Sequence, residues 1–145
     1  MELPDRTAVL SIPPGAIAVQ SDPGSVSAGI TAPNGDLQVY FNSTPQQGDE
    51  SQANWPGSRL DHLSGEHAAS VTQTSSSNGM VFRGGTGSCV ADTYMTTIGA
   101  HRYSEIACLV AGGRGSSVLV VAAPADAWIR CAPLLEQAVH SCLAE

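Results

Sequence analysis

Lysine is absent from this chain of 145 residues: all six basic residues are arginine, set against thirteen acidic ones. The net charge of −7 and a pI near 4.8 leave no broad positive field. Nucleic acid and anionic membrane surfaces are thereby excluded as partners, since both need one. Charged residues of either sign are few, 13% of the chain against about 25% in an ordinary soluble domain. With 42% hydrophobic residues, the composition is globular rather than disordered, and the polar surface falls to Ser, Thr, Asn and Gln. No apolar run reaches the ~18 residues of a membrane span. The longest, "SSVLVVAAPA" at 116–125, is strand-sized, so no direct membrane insertion is expected. The opening "MELPDRTAV" lacks the basic and apolar regions of a signal peptide.

Cysteine is sparse as well, but its four copies, Cys89, Cys108, Cys131 and Cys142, are an even number clustered in the last part of the chain. That pattern fits disulfides in an oxidising compartment. The expectation is an extracytoplasmic domain, secreted or anchored to the cell envelope by a segment preceding Met1. Cys131 and Cys142 bracket "CAPLLEQAVHSC", an amphipathic helix in which they lie almost three turns, roughly 16 Å, apart. A disulfide needs Cα atoms within about 7 Å, so these two cannot join while the helix is intact. The leading expectation is that both staple the helix to the sheet, through Cys89 and Cys108. The alternative is a cross-strand Cys89–Cys108 bond that leaves Cys131 and Cys142 as small core residues.

Along the chain, strands are expected at 7–12, 25–32 and 36–42, the last two joined by "PNG", whose Asn34-Gly35 tolerates positive φ. A polar loop at 44–52 leads past Trp55 to a helix with Pro56 near its start and Leu60 and Leu63 on one face. Strands follow at 68–75, 80–84, 88–97, 102–112 and 116–123, with "SSSNG" at 75–79 read as a turn. The clearest helix closes the chain from 125 onward. Asp126 is its expected N-cap, Pro133 a potential kink, and Trp128, Cys131, Ala132, Leu135, Ala138, Val139 and Cys142 its apolar stripe. Strand runs punctuated by single helices define an α+β class: one domain over 1–145, an antiparallel sheet flanked by helices, with the C-terminal helix packed on it.

"LSIPPG" (10–15), "AGITAPNGDLQVYF" (28–41) and "DAWIRCAPLLEQAVHSCL" (126–143), taken in that order, resemble the PsbP-like fold family, and within it the LpqN-type lipoproteins of actinobacteria. A chain without lysine also suits a GC-rich actinobacterial source. The resemblance implies an α/β/α sandwich, typically without enzymatic activity, acting as a lipoprotein, assembly factor or binding module. It carries over no catalytic residue.

Aromatics are only 5% of the chain, so each is informative. Tyr40, Tyr94, Tyr103 and Trp55 are candidates to line a ligand cleft, although such residues more often fill space between sheet and helix. Trp55, in a polar loop just ahead of Pro56, is the most conspicuous of them: an exposed Trp there would mark a recognition surface. Asp61, His62, Glu66 and His67 are potential metal ligands, but the two histidines are poorly spaced for one ion on a helix. Neither metal nor cofactor is expected. Asp92 and Glu105 fall on adjacent strands, where they would repel unless an arginine such as Arg83 or Arg102 lies between; the bland reading is a surface ion cluster. Asn42-Ser43-Thr44 is a glycosylation sequon, relevant only in a eukaryotic secretory host.

The leading functional expectation is a non-enzymatic module that binds a protein or a small apolar ligand between the 44–58 loop and the sheet. One alternative is a small hydrolase or thiol enzyme using Cys89 with His101, which requires Cys89 to be a free thiol. Another is the extracellular sensor module of a membrane receptor or kinase.

Overall fold

The computed structural model describes residues 1–66 and 68–145. Its centre is the apolar run already prominent in the sequence. Strand β8 (Ser116–Pro124) is buried on both faces from Ser117 to Ala123, as a near-continuous Val/Leu/Ala segment should be. It is the middle member of a seven-stranded sheet ordered β2-β3-β4-β8-β7-β6-β5, antiparallel throughout. The other strands are β2 (Ile17–Val19), β3 (Val26–Thr31), β4 (Leu37–Pro45), β5 (Ala68–Phe82), β6 (Gly85–Thr96) and β7 (Arg102–Ala111). Helix α1 (Trp55–Gly65) carries the chain from β4 to the far edge at β5, and the meander β5-β6-β7-β8 then closes back onto β4. Helix α2 (Trp128–His140) follows β8. The short strands β1 (Ala8–Val9) and β9 (Leu143–Ala144) pair with each other apart from the main sheet.

Alternation along the strands divides the core into two layers. Phe41, Cys108, Leu119 and Val121 point to one face and pack with Leu135, Val139 and Cys142 of the α2 segment and with Leu3 and Leu10. Val90, Ala107, Leu109, Val118 and Val120 point to the other face and pack with Trp55 of α1. The architecture is thus the expected α+β one, with the C-terminal helix on the sheet.

Several local expectations are corrected. Residues 75–79 are not a turn: β5 runs unbroken from Ala68 to Phe82. The strand carries three register irregularities against β6, and the one between Ser77 and Met80 absorbs the Asn-Gly stretch, where Gly79 takes φ 68°. A bulge uses the same glycine that would make a turn. The N-cap of α2 is Ala127 rather than Asp126, with no side-chain cap, and the helix is one element through Pro133 but stops at His140. Residues 143–144 pair as β9 instead of extending it. This strand fits because Gly112 has no side chain: a Cβ there would lie 2.6 Å from the Glu145 carbonyl oxygen.

The disulfide is Cys89–Cys108. Cys131 and Cys142 are free thiols, the latter fully buried, so the helix is not stapled to the sheet. The cause is register. Cys89 and Cys108 are direct cross-strand partners with Cα atoms 4.1 Å apart, the close spacing of a non-hydrogen-bonded pair. Burial pushes the Cys142 thiol up to about 11, which keeps it an unreactive core residue. Denatured, unreduced protein should therefore expose two thiols on titration, not none or four. Replacing Cys108 by Ser should lower stability to urea by about 3 kcal/mol, the chain-entropy value for a loop of this length, while Cys131→Ala should change it far less.

Candidate functional site

Helix α1 packs over β5, β6 and β7, and Trp55 at its start reaches Val118 and Val120 of β8, leaving β3 and β4 uncovered by the helix on the same face. The step between helix and open sheet is a groove. It holds two adjoining cavities of about 450 and 380 Å³ that share Asn42, Thr44, Gln47, Arg59, His62 and Val120 as walls. One extends under the 44–50 loop to Trp55, the other along the sheet to Tyr40, Tyr94 and Glu105.

The buried face of α1 is Trp55, Arg59 and Leu63, four residues apart, one stripe of a helix. Leu60, expected in that stripe, is only partly buried. Trp55 does not present an exposed recognition surface: it is 4% exposed and its indole Nε1–H donates to the Ala107 carbonyl at 2.9 Å. Its partner carbonyl belongs to a strand distant in sequence, so the flanking polar residues gave no hint of its burial. It anchors the start of the helix to β7.

Arg59, four residues on, is the second anchor. Its Nε and Nη2 donate to Oε1 and Oε2 of Glu105 at 2.7 and 2.9 Å. The side chains are 9% and 1% exposed, so this is a buried, bidentate ion pair. Asp92 faces Glu105 directly across β6 and β7 and is itself 1% exposed. The two carboxylates are therefore not a surface ion cluster, and the cation between helix and sheet is Arg59; Arg83 and Arg102 are exposed. Burial pushes the Glu105 carboxyl above its ordinary range, opposed by the charge and hydrogen bonds of Arg59. Burial likewise raises Asp92, with Gln73 and Arg59 opposing. Sequence reasoning paired the carboxylates and missed the arginine. The available signal was a lone Arg on the apolar spacing of α1, answered by a lone Glu in "YSEIACLVA".

Of the four proposed ligand residues, Trp55, Tyr40 and Tyr94 line the groove. Tyr103 packs against Tyr94, ring centroids 6.1 Å apart, and lines a separate depression of about 600 Å³ with His101, Arg102 and Arg130. Burial and the nearby Glu105 push the Tyr94 phenol well above its usual value, so it stays neutral and can donate. On the floor, the Tyr40 hydroxyl and Asn42 Nδ2 both meet Ser27 Oγ, at 3.1 and 3.0 Å; the sequon asparagine is engaged within the sheet. Carboxylates rim the groove at Asp22, Asp49, Glu50, Asp61 and Glu66, while its one arginine is neutralised internally.

The other constellations do not assemble. Cys89 is bonded to Cys108 and offers no thiolate, and His101 sits in the exposed β6–β7 turn. His62 and Glu66 form an exposed pair at 3.0 Å, and His67 lies outside the described residues. Among the described residues, no group of three His, Cys, Asp or Glu side chains converges as a metal site.

No family model matches the sequence, and no curated protein matches it. Solved structures do share the fold. LpqN of Mycobacterium tuberculosis, described as involved in cell envelope biogenesis, is 11% identical, with 94% of this chain and 82% of that one aligned and a TM-score of 0.58. PA94 of Pseudomonas aeruginosa, a protein of unknown function, is 9% identical over 92% and 80% of the two chains, with a TM-score of 0.56. At such identities the likeness is one of fold, and at that level the resemblance to LpqN holds.

Removing Arg59 should expose the electrostatics directly. Arg59→Met leaves two buried carboxyls without a cation and should cost about 3–5 kcal/mol near neutral pH. Both carboxyls have folded-state values above their unfolded ones, so the loss should shrink as pH falls and they take up protons. Urea unfolding of the variant across mildly acidic to neutral pH checks both the size and the sign.

Proposed function

We propose that this chain is a non-enzymatic binding domain of the extracytoplasmic space, with a PsbP-like α/β/α sandwich as scaffold and the α1 groove as its working surface. The observation that carries the reading is the groove itself. Two adjoining cavities of a few hundred Å³, the size range of small-molecule sites, meet over Asn42, Val120 and a buried, oriented arginine, and one of them runs on to Tyr40 and Tyr94. The cross-strand disulfide supports an oxidising compartment. The likeness to LpqN, whose role is in cell envelope biogenesis, agrees with that setting.

The lining also refines the ligand. Asn42, Thr44, Gln47 and Ser58 stand beside the aromatic and aliphatic surfaces, so the ligand has polar groups as well as an apolar face. The carboxylate rim disfavours anions. A thiol-dependent reaction has no support, because the sulfur it needs is consumed in the disulfide.

Thr44 lines both cavities and is the natural place to block them. A screen of neutral and cationic fragments by protein-observed NMR should shift resonances of Tyr40, Asn42 and Tyr94. Thr44→Trp should weaken those fragments at least about tenfold, equivalent to about 1.4 kcal/mol, without unfolding the chain. Hits confined to the depression beside His101 and Arg130, or unaffected by Thr44→Trp, would refute the assignment.

A further inference from the structure

Asp92 is the residue the fold serves worst. Cys89–Cys108 is a close, non-hydrogen-bonded pair. Alternation then makes Asp92–Glu105, three rungs along, a hydrogen-bonded pair with Cα atoms about 5.5 Å apart. Both side chains project under α1, and both residues are 1% exposed. Arg59 is committed to Glu105. Neither carboxyl oxygen of Asp92 has a hydrogen-bond partner among the described residues. Gln73, its register partner on β5, gives its amide to the Pro56 carbonyl at 3.2 Å. The groups around Asp92 are Arg59 from α1, Glu105 and Tyr103 from β7, Tyr94 from its own strand and Gln73 from β5. One cation faces two carboxyls.

We propose that this cluster stores one proton, on Asp92, at neutral pH, and that releasing it draws Arg59 away from Glu105 to be shared between both carboxylates, re-forming the floor of the groove. Two ionised carboxylates a cross-strand spacing apart cannot both be stabilised by one guanidinium at low dielectric. The proton settles on the carboxyl with fewer donors. Burial drives Asp92 upward from the ordinary carboxyl value, and the charge of Arg59 offsets that only in part. Arg59 and Glu105 both line the groove, as does Tyr94, two residues from Asp92 on the same face. A shift of the guanidinium therefore changes the surface that a ligand meets. The device belongs to the floor of the proposed site but needs no ligand for its test, so the two can fail separately.

The sign follows from linkage. The folded chain holds this proton at pH values where the unfolded chain, with an aspartate near 3.9, has lost it. Stability therefore falls as pH rises from about 4 through the folded value. Asp92→Asn imitates the protonated state. It should match the wild type in acid and exceed it increasingly above, with the ratio of folding equilibrium constants approaching a tenfold gain per pH unit within the window. Carbon-detected NMR of the carboxyls, together with the Arg59 Nε–H signal, reads the mechanism in the wild-type chain. Asp92 should remain protonated at neutral pH, and Arg59 should move as Asp92 titrates; both changes should vanish in Asp92→Asn. An ionised Asp92 at neutral pH, an Arg59 signal indifferent to its titration, or an Asn variant less stable than the wild type at neutral pH overturns the proposal.

Discussion

The pairing register of β6 with β7 sets the chemistry of both faces of the sheet. One alignment puts Cys89 opposite Cys108 and Asp92 opposite Glu105. The two rungs are an odd number of residues apart, so the disulfide lies on the α2 face and the carboxylates on the α1 face. A slip of one residue would exchange the faces of every side chain on the strand. The covalent bond forbids that slip. Repulsion between the two carboxyls cannot be relieved by sliding the strands past one another, and must be met by a cation, by a proton, or by both.

This division explains why the faces differ in character. Under α2 the packing is mainly apolar, with Phe41, Leu119, Val121 and Leu135 fully buried and Ser43 and Ser117 as its buried polar members. Under α1 the helix rests on only part of the sheet, and its polar anchors are a hydrogen bond from an indole, one from the Gln73 amide to the Pro56 carbonyl, and a bidentate ion pair. A buried ion pair is a poor source of net stability, because desolvation of both charges offsets most of their attraction. It does fix geometry: Arg59 has one position while Glu105 is ionised. The α1 face therefore trades packing energy for a defined arrangement of charges beside an open groove, where locally unfavourable groups commonly mark function.

The sequence made legible the parts that depend on local pattern. The apolar run of β8, the Asn34-Gly35 hairpin and the apolar stripe of α2 follow from period and turn chemistry, and together they define the α+β class. What escaped was set by contacts distant along the chain. "SSSNG" has the composition of a turn, and only pairing with β6 converts it into bulged strand. Trp55 sits among polar neighbours, and its burial follows from a β7 carbonyl 52 residues away. Arg59 as the partner of Glu105 spans 46 residues. The correct disulfide was among the possibilities but second, because choosing it requires the register, which cysteine spacing does not encode. Of the three tyrosines, strand alternation brings Tyr40 and Tyr94 to the groove, while Tyr103 lines a separate depression.

Charge distribution connects these observations. Arg59 is the only buried arginine of the six, and the other five are exposed. The protein thus spends its one interior cation inside a pair that is already neutral, with a further carboxyl beneath it. From the groove, the field is that of the rim carboxylates; of the basic groups in the lining, Arg59 is paired with Glu105 and His62 with Glu66. The floor works differently: its charge depends on whether Asp92 carries a proton, and that depends on how deeply α1 buries it. Anything that lifts α1 hydrates Asp92 and favours its ionisation, while anything that presses the helix down favours the neutral acid. Helix docking and protonation are therefore two readings of one equilibrium, and the disulfide on the opposite face keeps the strands fixed while that equilibrium moves.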